Sequence, residues 1–88
     1  MTYTVLLHPK AAKTLQKLQK PTKTRIKQKL KELEENPEAG KPLKYSPFWS
    51  LRIGDYRTIY EINKTQKQVI ILHIGHRENV YTDFTKLL

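Results

Sequence analysis

Cysteine is absent from the 88 residues, so no disulfide framework and no thiolate metal site can staple the fold, and nothing argues for an oxidising compartment. Glycine is scarce at three, and none of the three is arranged as a phosphate-cradling loop. Long hydrophobic runs are missing as well. The opening stretch Met1-Thr2-Tyr3-Thr4-Val5-Leu6-Leu7-His8-Pro9 has no basic flank, and its apolar run is too short for a signal peptide or a membrane span. A soluble, cytoplasmic protein without membrane contact is the expectation. His73 and His76 have no carboxylate or cysteine in ligand register, so neither a metal nor another cofactor is expected.

Acids are the most telling shortage. Eight Asp and Glu stand against 17 Lys and Arg, a formal net charge of +9. On a body this small the resulting field raises encounter rates with polyanions and makes binding salt-sensitive. The excess is larger than solubility requires, so RNA, DNA or an acidic protein is the expected partner. The length suits one domain, residues 1–88, with one small core.

Thr2–His8 is rich in β-formers and reads as a first strand ended by Pro9. Ala11, Ala12, Leu15 and Leu18 recur at helical spacing and predict a helix over Lys10–Gln19. Pro21 breaks it, Thr22 is placed to cap a second helix, Pro21–Glu35, and Ile26, Leu30 and Leu33 define the apolar stripe of that helix. Asn36–Pro47, punctuated by prolines and Gly40, reads as a loop. Strands come next at Phe48–Ile53, Tyr56–Ile62 and Gln68–Ile74, separated by the Gly54-Asp55 turn and the polar break Asn63–Lys67. Gly75 is expected to end the last strand, and a short helix is expected over Val80–Leu87. The class is α+β: an N-terminal strand, a helical hairpin, a three-stranded antiparallel meander completing one sheet, and a short C-terminal helix.

Alternation puts Trp49, Leu51 and Ile53 on one face of their strand, and Phe48, Ser50 and Arg52 on the other. In the next strand Tyr56, Thr58, Tyr60 and Ile62 oppose Arg57, Ile59 and Glu61. In the third, Ile70, Leu72 and Ile74 oppose Val69, Ile71 and His73. If the first-named sets meet the helices, Arg52, Arg57 and His73 converge on the far face, with His76 and Arg77 at the strand's mouth. Arginines there can clamp phosphodiester oxygens bidentately. The alternatives are ion pairs of Arg57 with Glu61 or Asp55, and of Arg77 with Glu78 or Asp83. Lys13 and Lys17 on the first helix, and Lys41 and Lys44 in the loop, read as non-specific phosphate contacts or as solvated surface.

Two fragments, Leu51-Arg52-Ile53-Gly54-Asp55-Tyr56-Arg57-Thr58-Ile59-Tyr60 and Gly75-His76-Arg77-Glu78-Asn79-Val80-Tyr81, carry a resemblance to the RelE/ParE superfamily of bacterial and archaeal toxins. It extends over nearly the whole chain and implies the RelE-like microbial RNase fold. The superfamily holds both ribosome-dependent mRNA endonucleases, RelE-like, and gyrase poisons, ParE-like. For the nuclease branch, the resemblance implies metal-independent attack of an mRNA 2′-hydroxyl on the adjacent phosphate in the ribosomal A site. Arg57 and Arg77 would then hold the phosphoryl oxygens, Tyr81 would stack on a base, and Arg52 would orient or polarise the attacking hydroxyl. The implied partners are a cognate antitoxin protein and the ribosome with its mRNA, with operator DNA reached only through the antitoxin complex. The pattern departs from that branch at Ser50 and Arg52, where it has a pair of lysines. A guanidinium is a poor general base, so the proton falls either to Arg52 or to the imidazole of His73. The departure leaves two alternatives: a ParE-like non-enzymatic inhibitor of DNA gyrase, and a catalytically degenerate member of the family.

Overall fold

The computed structural model describes residues 2–76. Strand β1 (Thr4–Leu7) leads into helices α1 (Pro9–Lys17) and α2 (Lys20–Glu32). A 3-10 turn (Pro37–Ala39) and a two-residue strand β2 (Lys41–Pro42) come next, then β3 (Phe48–Ile53), β4 (Tyr56–Asn63) and β5 (Gln68–His76). The five strands form one sheet in the order β1-β5-β4-β3-β2. Among these strands only the β1–β5 pair is parallel; the other neighbours are antiparallel. This is the expected α+β arrangement of strand, helical hairpin and antiparallel meander. The expected terminal helix, together with Arg77 and Tyr81, lies outside the described residues. Among the described residues no helix is long and apolar enough to cross a membrane.

Proline shapes both helix starts. Pro9 occupies the first turn of α1, where its missing N–H costs nothing, and the His8 Nδ1 accepts the Lys10 backbone N–H at 3.3 Å. α2 begins at Lys20, one residue ahead of Pro21. Thr22 therefore lies within the helix rather than capping it, and the N-cap is Gln19, which makes no side-chain cap bond. Between the helices only Leu18 and Gln19 are extended, which is enough to fold the hairpin back. α1 packs on β5 and β1, and α2 on β3. Ala11, Leu15, Ile26, Leu30 and Leu33 close over Ile53, Tyr60, Val69, Ile71 and Ile74 to make the core.

Two expectations are corrected in β5. Strict alternation places Ile70 and Leu72 toward the helices with Ile74, and Val69 and Ile71 away. The structure buries Val69, Ile71 and Ile74 in the helix-facing core, while Leu72 packs on Ile59 on the far face. The cause is a β-bulge. Ile59 pairs with His73 but Tyr60 pairs with Ile71, so Leu72 is the extra residue and the alternation shifts by one. The Thr58 hydroxyl donates to the His73 carbonyl at 3.0 Å and pins the strand just beyond the bulge. Gly75 does not end the strand either. β5 continues through it to His76, which pairs with Tyr56 and meets that ring edge-on at 5.7 Å.

The stretch Asn36–Pro47 is also more ordered than a plain loop. Lys41 and Pro42 pair with Ser50 and Trp49, making β2 a short edge strand. Proline is admissible at an edge, where its missing N–H can face outward.

Candidate functional site

The far face of the sheet carries the basic cluster. Arg52 and Arg57 are directly opposed across β3 and β4, so their side chains leave the sheet on the same side. Like charges in that register are destabilising by roughly 0.2–1 kcal/mol, which makes the pair a poor choice for stability alone. Arg52 is exposed, and its Nε donates to the Gly54 carbonyl at 3.3 Å, holding the guanidinium over the β3–β4 turn. Gly54 takes a φ of 60°, the left-handed conformation such a tight turn needs. Arg57 is half-buried, and its Nη1 donates to the Ser50 Oγ at 3.4 Å. Ser50 is 4 % exposed, so its hydroxyl is a fixed acceptor that aims the Arg57 guanidinium.

A groove of about 330 Å³ opens beside the pair, lined in part by Gly40, Lys41, Ser50, Arg52 and Arg57. Among the described residues its lining holds three cationic side chains and no acid. An anionic oxygen entering it would meet two guanidinium forks and an ammonium.

His73 stands opposite Ile59, two pairs along from the Arg57–Gly75 pair, and so is a diagonal neighbour of Arg57 on the same face. Such neighbours lie about 7–8 Å apart. The convergence of Arg52, Arg57 and His73 expected from alternation is therefore present, though His73 reaches the far face through the bulge rather than through unbroken alternation.

Among the other expected contacts, Lys41 joins the groove, and Lys44 is exposed in the connection after β2. Lys13 and Lys17 are exposed on α1, in the helical layer on the other side of the sheet, and do not belong to this cluster. Among the described residues, no three His, Cys, Asp or Glu side chains are grouped so as to hold a metal ion.

Sequence reasoning missed the device that shapes the groove's wall. Tyr60 is fully buried, and its hydroxyl donates to the Pro37 carbonyl at 2.7 Å while accepting the Gly40 N–H at 3.1 Å. Trp49 stacks on its ring at 6.3 Å. Burial raises the Tyr60 pKa above its ordinary value; the Gly40 N–H opposes that shift and the Glu38 carboxylate adds to it. Gly40 is needed for contact rather than for conformation, because a Cβ there would run into the Ser50 carbonyl oxygen and the Tyr60 hydroxyl. The only advance signal was a glycine set between Pro37 and Pro42.

The profile of the family described as the ParE toxin of type II toxin–antitoxin systems, parDE, matches residues 5–81. The chain matches no curated protein by sequence. Among solved structures it is similar to a chain of the RelBE2 toxin–antitoxin complex from Mycobacterium tuberculosis, at 31% identity and a TM-score of 0.80, covering 88% of this chain and 100% of that one. A chain of the archaeal RelE–RelB complex from Pyrococcus horikoshii is 32% identical with a TM-score of 0.73, over 88% and 97% of the two chains. A double-arginine mutant of the E. coli toxin RelE in the free state is 26% identical with a TM-score of 0.81, over 100% and 99%. The profile and the structures come from the two branches of one superfamily, and each match extends over most of the chain. With its fold closely resembling RelE-type toxins, the chain belongs to the RelE/ParE superfamily of toxins from toxin–antitoxin systems.

Proposed function

We propose that residues 1–88 form one toxin domain that cleaves mRNA on the ribosome and so stops translation in the cytoplasm. The observation that carries this reading is the opposed Arg52–Arg57 pair, set with Lys41 in a groove whose described lining contains no acid. In such a reaction the 2′-hydroxyl oxygen attacks the neighbouring phosphorus, the 2′-O–P bond forms and the P–O5′ bond breaks. The products are a 2′,3′-cyclic phosphate and a free 5′-hydroxyl. Charge grows on the phosphoryl oxygens as phosphorus becomes five-coordinate, and guanidinium groups fixed in advance stabilise that state more than the ground state.

Arg57, aimed by Ser50, takes the phosphoryl oxygens, and Arg52 orients the 2′-hydroxyl. The imidazole of His73 is the better of the two proton acceptors, since it can take the hydroxyl proton near neutral pH whereas a guanidinium holds its own. The proton then returns to the departing 5′-oxygen. Arg77 and Tyr81 complete the site by the resemblance, as a second phosphate clamp and a base stack. Ser50 stands where the nuclease branch has a lysine, and here it serves as acceptor for Arg57 instead of adding a further positive charge.

Relatives of similar fold were solved as complexes with antitoxins. A cognate antitoxin is accordingly the first partner, an acidic chain suiting the +9 surface. Operator DNA is reached only through that complex. Primer-extension mapping of mRNA ends after brief induction, with translated and untranslated copies of one message, tests the reading. The expected result is discrete cuts confined to the translated copy. Growth arrest with intact mRNA would overturn it and support the second reading, a ParE-like inhibitor of DNA gyrase, which the family profile over residues 5–81 favours.

A further inference from the structure

The connection from β2 to β3, residues 43–47, presents an aromatic ring in an unusual way. Tyr45 is fully exposed, and no other Phe, Trp or Tyr among the described residues is classed as exposed. Its backbone φ is 60°, in the left-handed region that L-residues with large side chains avoid. An outlier of this kind persists only where the surroundings fix it, and such outliers gather at ligand clamps and active sites.

The surroundings do fix it. The Leu43 N–H donates to the Phe48 carbonyl at 2.9 Å, closing the base of the connection. The Ser46 hydroxyl donates to the Leu43 carbonyl at 3.1 Å and accepts the Phe48 N–H at 3.2 Å. Leu43 and Phe48 pack on Ile59, on the face of the sheet that carries Arg57 two residues earlier in β4. A braced loop rooted beside the basic groove thus raises a solvated phenol ring between the exposed residues Lys44 and Ser46.

We propose that Tyr45 is a stacking platform for an unpaired nucleobase of single-stranded RNA whose backbone passes over the Arg52–Arg57 groove. The inference rests on the proposed reading of that groove as an RNA site and adds a base contact to it. A cation beside an open aromatic face is the combination that holds single strands, since every base offers a π-face and every linkage a charge. An anchor for a protein partner would instead sit within an apolar surround that excludes water, and the loop neighbours Lys44, Ser46 and Pro47 supply no such surround.

The test is fluorescence anisotropy with a short labelled single-stranded RNA, and with the same RNA carrying abasic sites, on wild type, Tyr45→Gly, Tyr45→Trp and Arg57→Ala. Tyr45→Gly should weaken RNA binding roughly 5- to 150-fold. Its melting temperature should hold or rise, because glycine accepts the positive φ. Tyr45→Trp should keep the affinity, and abasic RNA should bind wild type and Tyr45→Gly alike. Wild-type affinity in Tyr45→Gly, or an equal loss on abasic RNA, overturns the stacking role; if Arg57→Ala still weakens binding, the groove reading survives that failure. Weakened antitoxin binding with RNA affinity intact also overturns it and assigns the ring to a protein interface. If wild type binds no RNA and cleaves none, the groove reading falls and takes the stacking role with it.

Discussion

The two faces of the central sheet are built to different rules. Toward the helices, Ile53, Tyr60, Val69, Ile71 and Ile74 meet four helical side chains and Leu33 just beyond α2, and the buried Thr58 hydroxyl is satisfied by the His73 carbonyl. Toward the far side, only Leu43, Phe48 and Leu72 gather around Ile59 among the described residues, and next to that small cluster two arginines face each other across a strand pair. One face supplies cohesion. The other gives up some stability to keep positive charge in register, and places where local rules are broken without structural gain are where function is expected.

The sharpest way to break this contrast is to remove one arginine. Arg57→Ala should lower translation-dependent cleavage by about 10²–10³, as loss of a fixed transition-state donor does, while the melting temperature changes little, since relief of the like-charge pair offsets the lost hydrogen bond to Ser50. Primer extension and thermal unfolding on the same preparation give both readouts. Full cleavage with a lowered melting temperature would mean that Arg57 is structural and the two faces are alike.

The bulge offers the next test, because it decides which β5 side chains belong to which face. Ile71→Ala should cost about 2–5 kcal/mol by denaturant unfolding, as a core truncation. Leu72→Ala, at a half-buried position in the satellite cluster, should cost about 1–2 kcal/mol. Equal costs, or the reverse order, would mean that alternation runs unbroken through β5.

That bulge also marks where the sequence stops being legible. The helical stripes Ala11–Leu15 and Ile26–Leu30–Leu33 and the strands Phe48–Ile53 and Tyr56–Ile62 were readable because a single period runs through each and each ends at a recognised turn or proline. Leu72 carries no local sign of being an extra residue. Every position from Val69 to Leu72 is apolar, so either face assignment satisfies the pattern, and the register is settled only by pairing with β4. β2 was hidden for a related reason: Lys41-Pro42 has neither strand propensity nor length, and it forms because β3 offers it an edge. Arg52, Arg57 and His73 could be grouped from sequence. The Tyr60 clamp could not, since Tyr60 and Gly40 are twenty positions apart and nothing local links them.

That clamp is the seam between the two faces, and removing its hydroxyl should cost less than the core truncation at Ile71. Tyr60→Phe keeps the ring in the core but leaves the Gly40 N–H and the Pro37 carbonyl without their shared partner, a loss of roughly 1–3 kcal/mol at neutral pH. The pH dependence isolates the hydroxyl. Burial raises the Tyr60 pKa in the folded chain, whereas the unfolded chain ionises near the ordinary tyrosine value of 10.0. Below that value both states hold the proton and the contribution of the hydroxyl is complete. Above it the unfolded state releases a proton that the folded state keeps, so stability falls as pH rises from about 10 toward the folded pKa. The variant has no such proton, while lysine titration is common to both proteins. The stability gap between wild type and Tyr60→Phe should therefore narrow between about pH 9 and pH 11. A gap that stays constant across that range would mean that the buried hydroxyl ionises as readily in the fold as out of it, and that the groove's wall is held by Trp49 stacking and Gly40 packing rather than by the hydroxyl bridge.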